Sequence, residues 1–110
     1  MSPLERTRYL LEPSEPVAWL VVVRGPRQGT DFPVGRVTNI GRAPENDIVL
    51  EDERVSASHA TIRREGNAFF LFDLASRNGT YLNGERIQKA LLLDGDEILV
   101  GDTLLRFKRT

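Results

Sequence analysis

The chain has 110 residues, 40% of them apolar and 28% charged, with a formal net charge of −1 and a pI of about 5.8. That length fits one domain with a core of its own, and the near-neutral charge argues against a general nucleic-acid binder. The absence of cysteine excludes a disulfide framework and a thiolate metal site, and a single histidine excludes a multi-histidine metal centre; no cofactor is expected.

The first 16 residues stand apart and hold three of the six prolines, Pro3, Pro13 and Pro16. Ser2, Pro3 and Glu5 have the spacing of a capping box with proline at the first helical turn. Residues 1–16 are therefore expected as an arm, either loose or helical from about Pro3 to Leu11, ahead of a domain over 17–110. The arm has no signal-type apolar core. The longest apolar run, Val17–Val23, is far short of the roughly 20 residues that span a bilayer. A cytoplasmic location without membrane contact is expected.

From Val17 the pattern changes to short runs rich in Val, Ile, Leu, Phe and Thr, punctuated by Gly, Asn and Asp. Strands are expected near 17–24, 31–34, 37–42, 48–50, 59–64, 68–74, 80–82, 85–87, 90–92, 97–100 and 103–108. Alternation puts Phe70, Phe72 and Leu74 on one face of their strand, and Leu105 with Phe107 on one face of theirs. Asn83-Gly84 is a strong hairpin signal, because both residues tolerate positive φ. Glu65-Gly66-Asn67 marks another turn. So many short strands with tight turns predict an all-β fold, a sandwich or a barrel, and not α/β.

Sandwiches concentrate function in the loops at their ends. Three loops carry polar chemistry beyond what a turn needs: Ile40–Asp47, Arg54–His59 and Ala75–Thr80. Arg42 offers a fork of charged donors, Ser56 a hydroxyl, and the loop amides further donors. Asn78 can hold an extended backbone from both its donor and acceptor sides. Together they supply what a phosphate monoester needs. Each also has a plain structural reading, as a solvated charge or a turn residue.

The ordered set Gly41-Arg42, Ser56-x-x-His59, Asn78-Gly79-Thr80 and Asn83-Gly84 resembles the forkhead-associated (FHA) domain. Asn46-Asp47-Ile48 and Asp94-Gly95-Asp96 agree with it, and the likeness runs from about Trp19 to Phe107. The resemblance implies an all-β, two-sheet β-sandwich of about eleven strands whose loops at one end bind phosphothreonine. It implies a partner phosphorylated by an upstream Ser/Thr protein kinase. Arg42 and Ser56 match the residues that contact the phosphate. Asn78 matches the asparagine that bonds the ligand main chain, and Arg77 a variable position near the ligand. Gly41, His59, Gly79 and Asn83 match residues that shape the loops. Ala57 departs from the pattern: a long basic or amide side chain is common there, so only its backbone can contribute.

Three other readings compete. Ser56-x-x-His59 superficially pairs a nucleophile with a base, but strand spacing puts i and i+3 on opposite faces and no third group orients the histidine. Gly25–Thr30 lacks the lysine and spacing of a P-loop, and Asp94-Gly95-Asp96 is too short for a calcium loop. The chain is thus not expected to be an enzyme. A phospho-independent scaffold with a degraded pocket stays open, as does Thr7 acting as an internal ligand once phosphorylated.

Overall fold

The computed structural model describes residues 2–4 and 16–110. The eleven strands are β1 (Ala18–Arg24), β2 (Asp31–Pro33), β3 (Val37–Gly41), β4 (Ile48–Val49), β5 (Ala60–Glu65), β6 (Ala68–Asp73), β7 (Thr80–Leu82), β8 (Glu85–Ile87), β9 (Lys89–Leu92), β10 (Glu97–Val100) and β11 (Thr103–Arg109). Each lies where the apolar runs placed it, within one residue at most ends. Pro3 and Leu4 have helical backbone. The rest of the expected N-terminal helix, and Thr7 with it, lies outside the described residues.

The strands form two sheets, a six-stranded one in the order β2-β1-β11-β10-β7-β8 and a five-stranded one in the order β4-β3-β5-β6-β9. All pairings are antiparallel except the short parallel contact of β3 with β4. Pro33, which cannot donate to a ladder, lies on the edge strand β2. In the β7–β8 hairpin Asn83 and Gly84 have φ of 49° and 86°, the left-handed pair that a two-residue turn requires.

Period-two burial builds the core. Ala18, Leu20 and Val22 of β1, Ile98 and Val100 of β10, and Leu105 and Phe107 of β11 turn inward from one sheet. Ile40, Ile62, Phe69, Leu71 and Leu92 meet them from the other. Phe69 of β6 and Phe107 of β11 touch between the layers, with ring centroids 5.4 Å apart and planes tilted by 58°, near the edge-to-face geometry that aromatic pairs prefer.

Phe70, Phe72 and Leu74 do share a face, and it is the outer one; Phe69 and Leu71 fill the core. Cations cover the two outer rings: Lys89 Nζ lies 4.9 Å from the Phe70 centroid and Arg63 lies 5.8 Å from that of Phe72.

Phe69→Ala is expected to destabilise the domain by about 3–5 kcal/mol. Leu93→Ser, at a position 61% exposed, should stay within about 0.5 kcal/mol of the parent. Urea unfolding checks both, and equal losses would refute this assignment of inside and outside.

Candidate functional site

The loops β3–β4, β4–β5 and β6–β7 meet at one end of the sandwich, and backbone atoms knit them together. Arg42 N–H donates to Ser56 O at 3.0 Å, and Ala43 N–H donates to Ala57 O at 3.2 Å. Asn46 Nδ2 donates to the same Ala57 carbonyl at 2.7 Å and to Ala43 O at 2.8 Å. Gly41 makes this approach feasible, because a Cβ there would run into the Ala57 carbonyl.

His59, fully buried, joins the second loop to the third. Its Nδ1 accepts from Ser56 N–H at 3.0 Å, and its Nε2 lies 2.9 Å from Gly79 O. An acceptor at Nδ1 leaves Nε2 as the protonated nitrogen, donating to Gly79 O, so the ring is the neutral Nε2–H tautomer. The nitrogen that would serve as a base is already occupied by a backbone amide, and Ser56 Oγ makes no hydrogen bond to the imidazole. Ser56 and His59 are not arranged as nucleophile and base.

Ser56 Oγ instead accepts Arg77 N–H at 3.1 Å. With that side of the oxygen engaged, the hydroxyl proton is available to a ligand. The exposed Arg42 donates from Nε to Val55 O at 3.1 Å. This bond holds the guanidinium plane, while its four Nη hydrogens have no acceptor among the described residues. Asn78 Nδ2 donates to Arg54 O at 2.7 Å, which fixes the amide with Oδ1 and its second N–H unengaged. The Ala57 amide also has no acceptor among the described residues. One rim therefore carries a guanidinium edge, a hydroxyl and a backbone N–H, all uncommitted. A tetrahedral dianion seated there would meet donors held in place beforehand.

Arg42, Ser56, Ala57, Arg77, Asn78, Gly41, His59 and Gly79 all gather at this end. Asn83 does not. It lies at the opposite end, where its amide bridges Asp96 Oδ1 and Glu97 N–H and its role is to fix the β7–β8 turn.

Two carboxylates that sequence reasoning passed over hold the loops from behind. Asp73 accepts from Ser76 Oγ and Thr80 Oγ1 through Oδ1 and from Ser76 N–H through Oδ2. It shapes the β6–β7 loop, in which Ala75 takes a left-handed φ of 53°. The Asp73-x-x-Ser76 spacing was the available signal. Asp52 accepts from Arg54 N–H, Asp102 N–H and Thr103 Oγ1, tying the β4–β5 loop to the β10–β11 turn; Asp102 and Thr103 lie 50 and 51 positions away, so no local pattern shows that tie. Burial disfavours the charge on each, but the hydrogen bonds outweigh it. The Asp73 carboxyl is held below the usual carboxylate range by Ser76 and Thr80, and that of Asp52 by the Arg54 and Asp102 amides and Thr103.

The FHA-domain family profile matches residues 38–101. Among curated proteins, the chain is 45% identical over 91 residues to the glycogen accumulation regulator GarA of Mycobacterium tuberculosis, covering 82% of this chain and 56% of that protein. It is 43% identical over 91 residues to the oxoglutarate dehydrogenase inhibitor of Corynebacterium glutamicum, covering 82% and 64%. The chain thus spans between 56% and 64% of the length of these relatives. Among solved structures, M. tuberculosis EmbR in complex with a low-affinity phosphopeptide superposes with a TM-score of 0.80 at 36% identity, over 87% of this chain and 25% of that one. An FHA domain studied for phosphothreonine-dependent interactions gives a TM-score of 0.80 at 30% identity, over 86% and 97%.

Because the folded carboxyls of Asp73 and Asp52 sit below their unfolded pKa of about 3.9, their stabilisation is complete above that pH. It is lost as pH falls through the lower folded values. Asp73→Asn should therefore lower the urea midpoint at neutral pH, with the gap to the parent narrowing as pH falls below the ordinary carboxylate value; equal midpoints at neutral pH would refute the role. Profile, relatives and superposed structures agree with the interlocked loops, and this chain belongs to the FHA domain family.

Proposed function

We propose that this chain binds phosphothreonine-containing segments of other proteins and so acts as a non-catalytic module in Ser/Thr kinase signalling. In this reading residues 17–110 are the binding domain, residues 1–16 an arm, and the compartment the cytoplasm. One observation carries the proposal. The donors of Arg42, Ser56 and Ala57 are uncommitted, yet each is fixed by a bond made elsewhere on the same group.

A phosphothreonine brings about −1.5 to −2 charges and three acceptor oxygens. Arg42 faces two of them as a planar fork. The Ser56 hydroxyl and the Ala57 amide donate to the phosphate from the neighbouring loop. Asn78 takes the ligand main chain through Oδ1 and its remaining N–H, which sets the segment's direction across the rim. Ala57 contributes no side-chain contact, so affinity is modest compared with family members that carry a basic or amide residue there. The relatives are named a regulator of glycogen accumulation and an inhibitor of oxoglutarate dehydrogenase, names of control and not of turnover, which supports partner binding.

Arg42→Ala is expected to weaken binding of a phosphothreonine peptide by about 30-fold or more, the loss of at least one charge-assisted hydrogen bond pair. The melting temperature should fall only slightly, since the one structural bond lost is that from Nε to Val55 O. Fluorescence anisotropy against phosphothreonine, phosphoserine and unphosphorylated versions of one library measures this. Equal affinity of parent and variant would overturn the proposal, and equal binding of the unphosphorylated set would favour a phospho-independent scaffold.

A further inference from the structure

Beside the rim lies a cation that none of these roles uses. Arg86 belongs to β8, the edge strand of the six-stranded sheet, opposite Tyr81 in register. Its side chain reaches diagonally past β7 to the β6–β7 loop and settles on Gly79. A Cβ at position 79 would lie 2.7 Å from Arg86 Nε and 3.1 Å from its Cζ. The guanidinium thus occupies the space a larger residue would claim. Gly79 is buried, has a φ of 85°, and directly follows Asn78. Consecutive Cα atoms are about 3.8 Å apart, which puts the Arg86 fork one residue from the amide assigned to the ligand main chain.

We infer that Arg86, together with Arg77, forms a basic rim that selects phosphothreonine segments carrying a carboxylate side chain close to the phosphothreonine. The inference rests on the phosphothreonine reading above.

Arg86 is exposed and has no acceptor, carboxylate or ring partner among the described residues. The other surface cations are mostly engaged. Arg54 faces Asp102, Arg106 faces Glu97 and Lys108 faces Asp94. Arg27, Arg63, Arg64, Lys89 and Arg109 lie over phenylalanine rings. At the binding end, Arg77 and Arg86 flank Asn78-Gly79 with their guanidinium groups uncommitted. Gly79 supplies the seat that keeps Arg86 near the loop, and a planar fork matches a carboxylate better than a flexible ammonium does. Both cations are exposed, so the selectivity is modest and falls with salt.

The test uses three phosphothreonine peptides of one length, with alanine, glutamate or lysine at the flanking positions. Anisotropy titrations are run at low and high salt with the parent chain, Arg86→Glu, Arg86→Lys and Arg42→Ala. The parent should prefer glutamate flanks by about threefold at low salt, with the preference shrinking at high salt. Arg86→Glu should shift the flank preference toward lysine, read as the ratio of affinities within each protein, because a carboxylate beside the rim weakens every phosphopeptide. Arg86→Lys should keep part of the glutamate preference. Arg86→Glu with an unchanged flank ratio would overturn the inference while the phosphothreonine reading stands. Affinities that Arg42→Ala leaves unchanged for every peptide would overturn that reading, and the inference with it.

Discussion

The binding end is organised by one buried imidazole. His59 accepts a backbone N–H from the second loop and donates to a backbone carbonyl of the third. No other common side chain offers an acceptor and a donor at opposite ends of a rigid ring of that span. Its own backbone is pinned between the sheet strands, with N–H to Ile40 O and carbonyl to Leu74 N–H. The ring therefore passes the rigidity of the five-stranded sheet to two loops, whose Ser56 N–H and Gly79 carbonyl it satisfies. In a dry interior each such group left unpaired would cost about 1–3 kcal/mol, so the loops have no cheap way to come apart.

That arrangement divides the polar groups into two sets. The inner set is spent on structure: the Ser56 and Ala57 carbonyls, the Arg77 amide, Arg42 Nε, and the carboxylates of Asp52 and Asp73. The outer set consists of the same residues' other atoms. A side chain such as Arg42 or Asn78 is thus oriented by one end and open at the other. Orientation settled before a ligand arrives lowers the entropy that binding must overcome. Ala57 shows the same division in its simplest form, with no functional side chain, a carbonyl that accepts twice, and an amide without an acceptor among the described residues.

The fold was largely legible because period-two alternation and turn residues are local signals. Eleven apolar runs became eleven strands, and Asn83-Gly84 became the hairpin turn. Alternation alone did not say which parity of β6 faces the core, since Phe69, Phe70, Leu71 and Phe72 are all apolar; only packing against Phe107 decides it. The rim residues were legible through the ordered motif, not through chemistry, because a lone Arg or Asn-Gly has an ordinary turn reading. What escaped were side-chain contacts that no ordered motif marks. Asp52 meets Asp102 and Thr103 across 50 and 51 positions, Asp73 meets Ser76 inside an ordinary-looking loop, and Arg86 settles on Gly79 within the β7–β8 hairpin.

The sheet order carries a consequence for how the chain is made. β11, the last strand, is not an edge; it lies between β1 and β10. Leu20 faces Phe107, 87 positions further along (107 − 20). The N-terminal hairpin of β1 and β2 must wait, with one side of β1 unpaired, until the final residues of the domain exist. Such distant pairing slows folding and leaves a strand edge open to wrong partners meanwhile. Losing β11 would not trim the sandwich but divide its larger sheet through the middle.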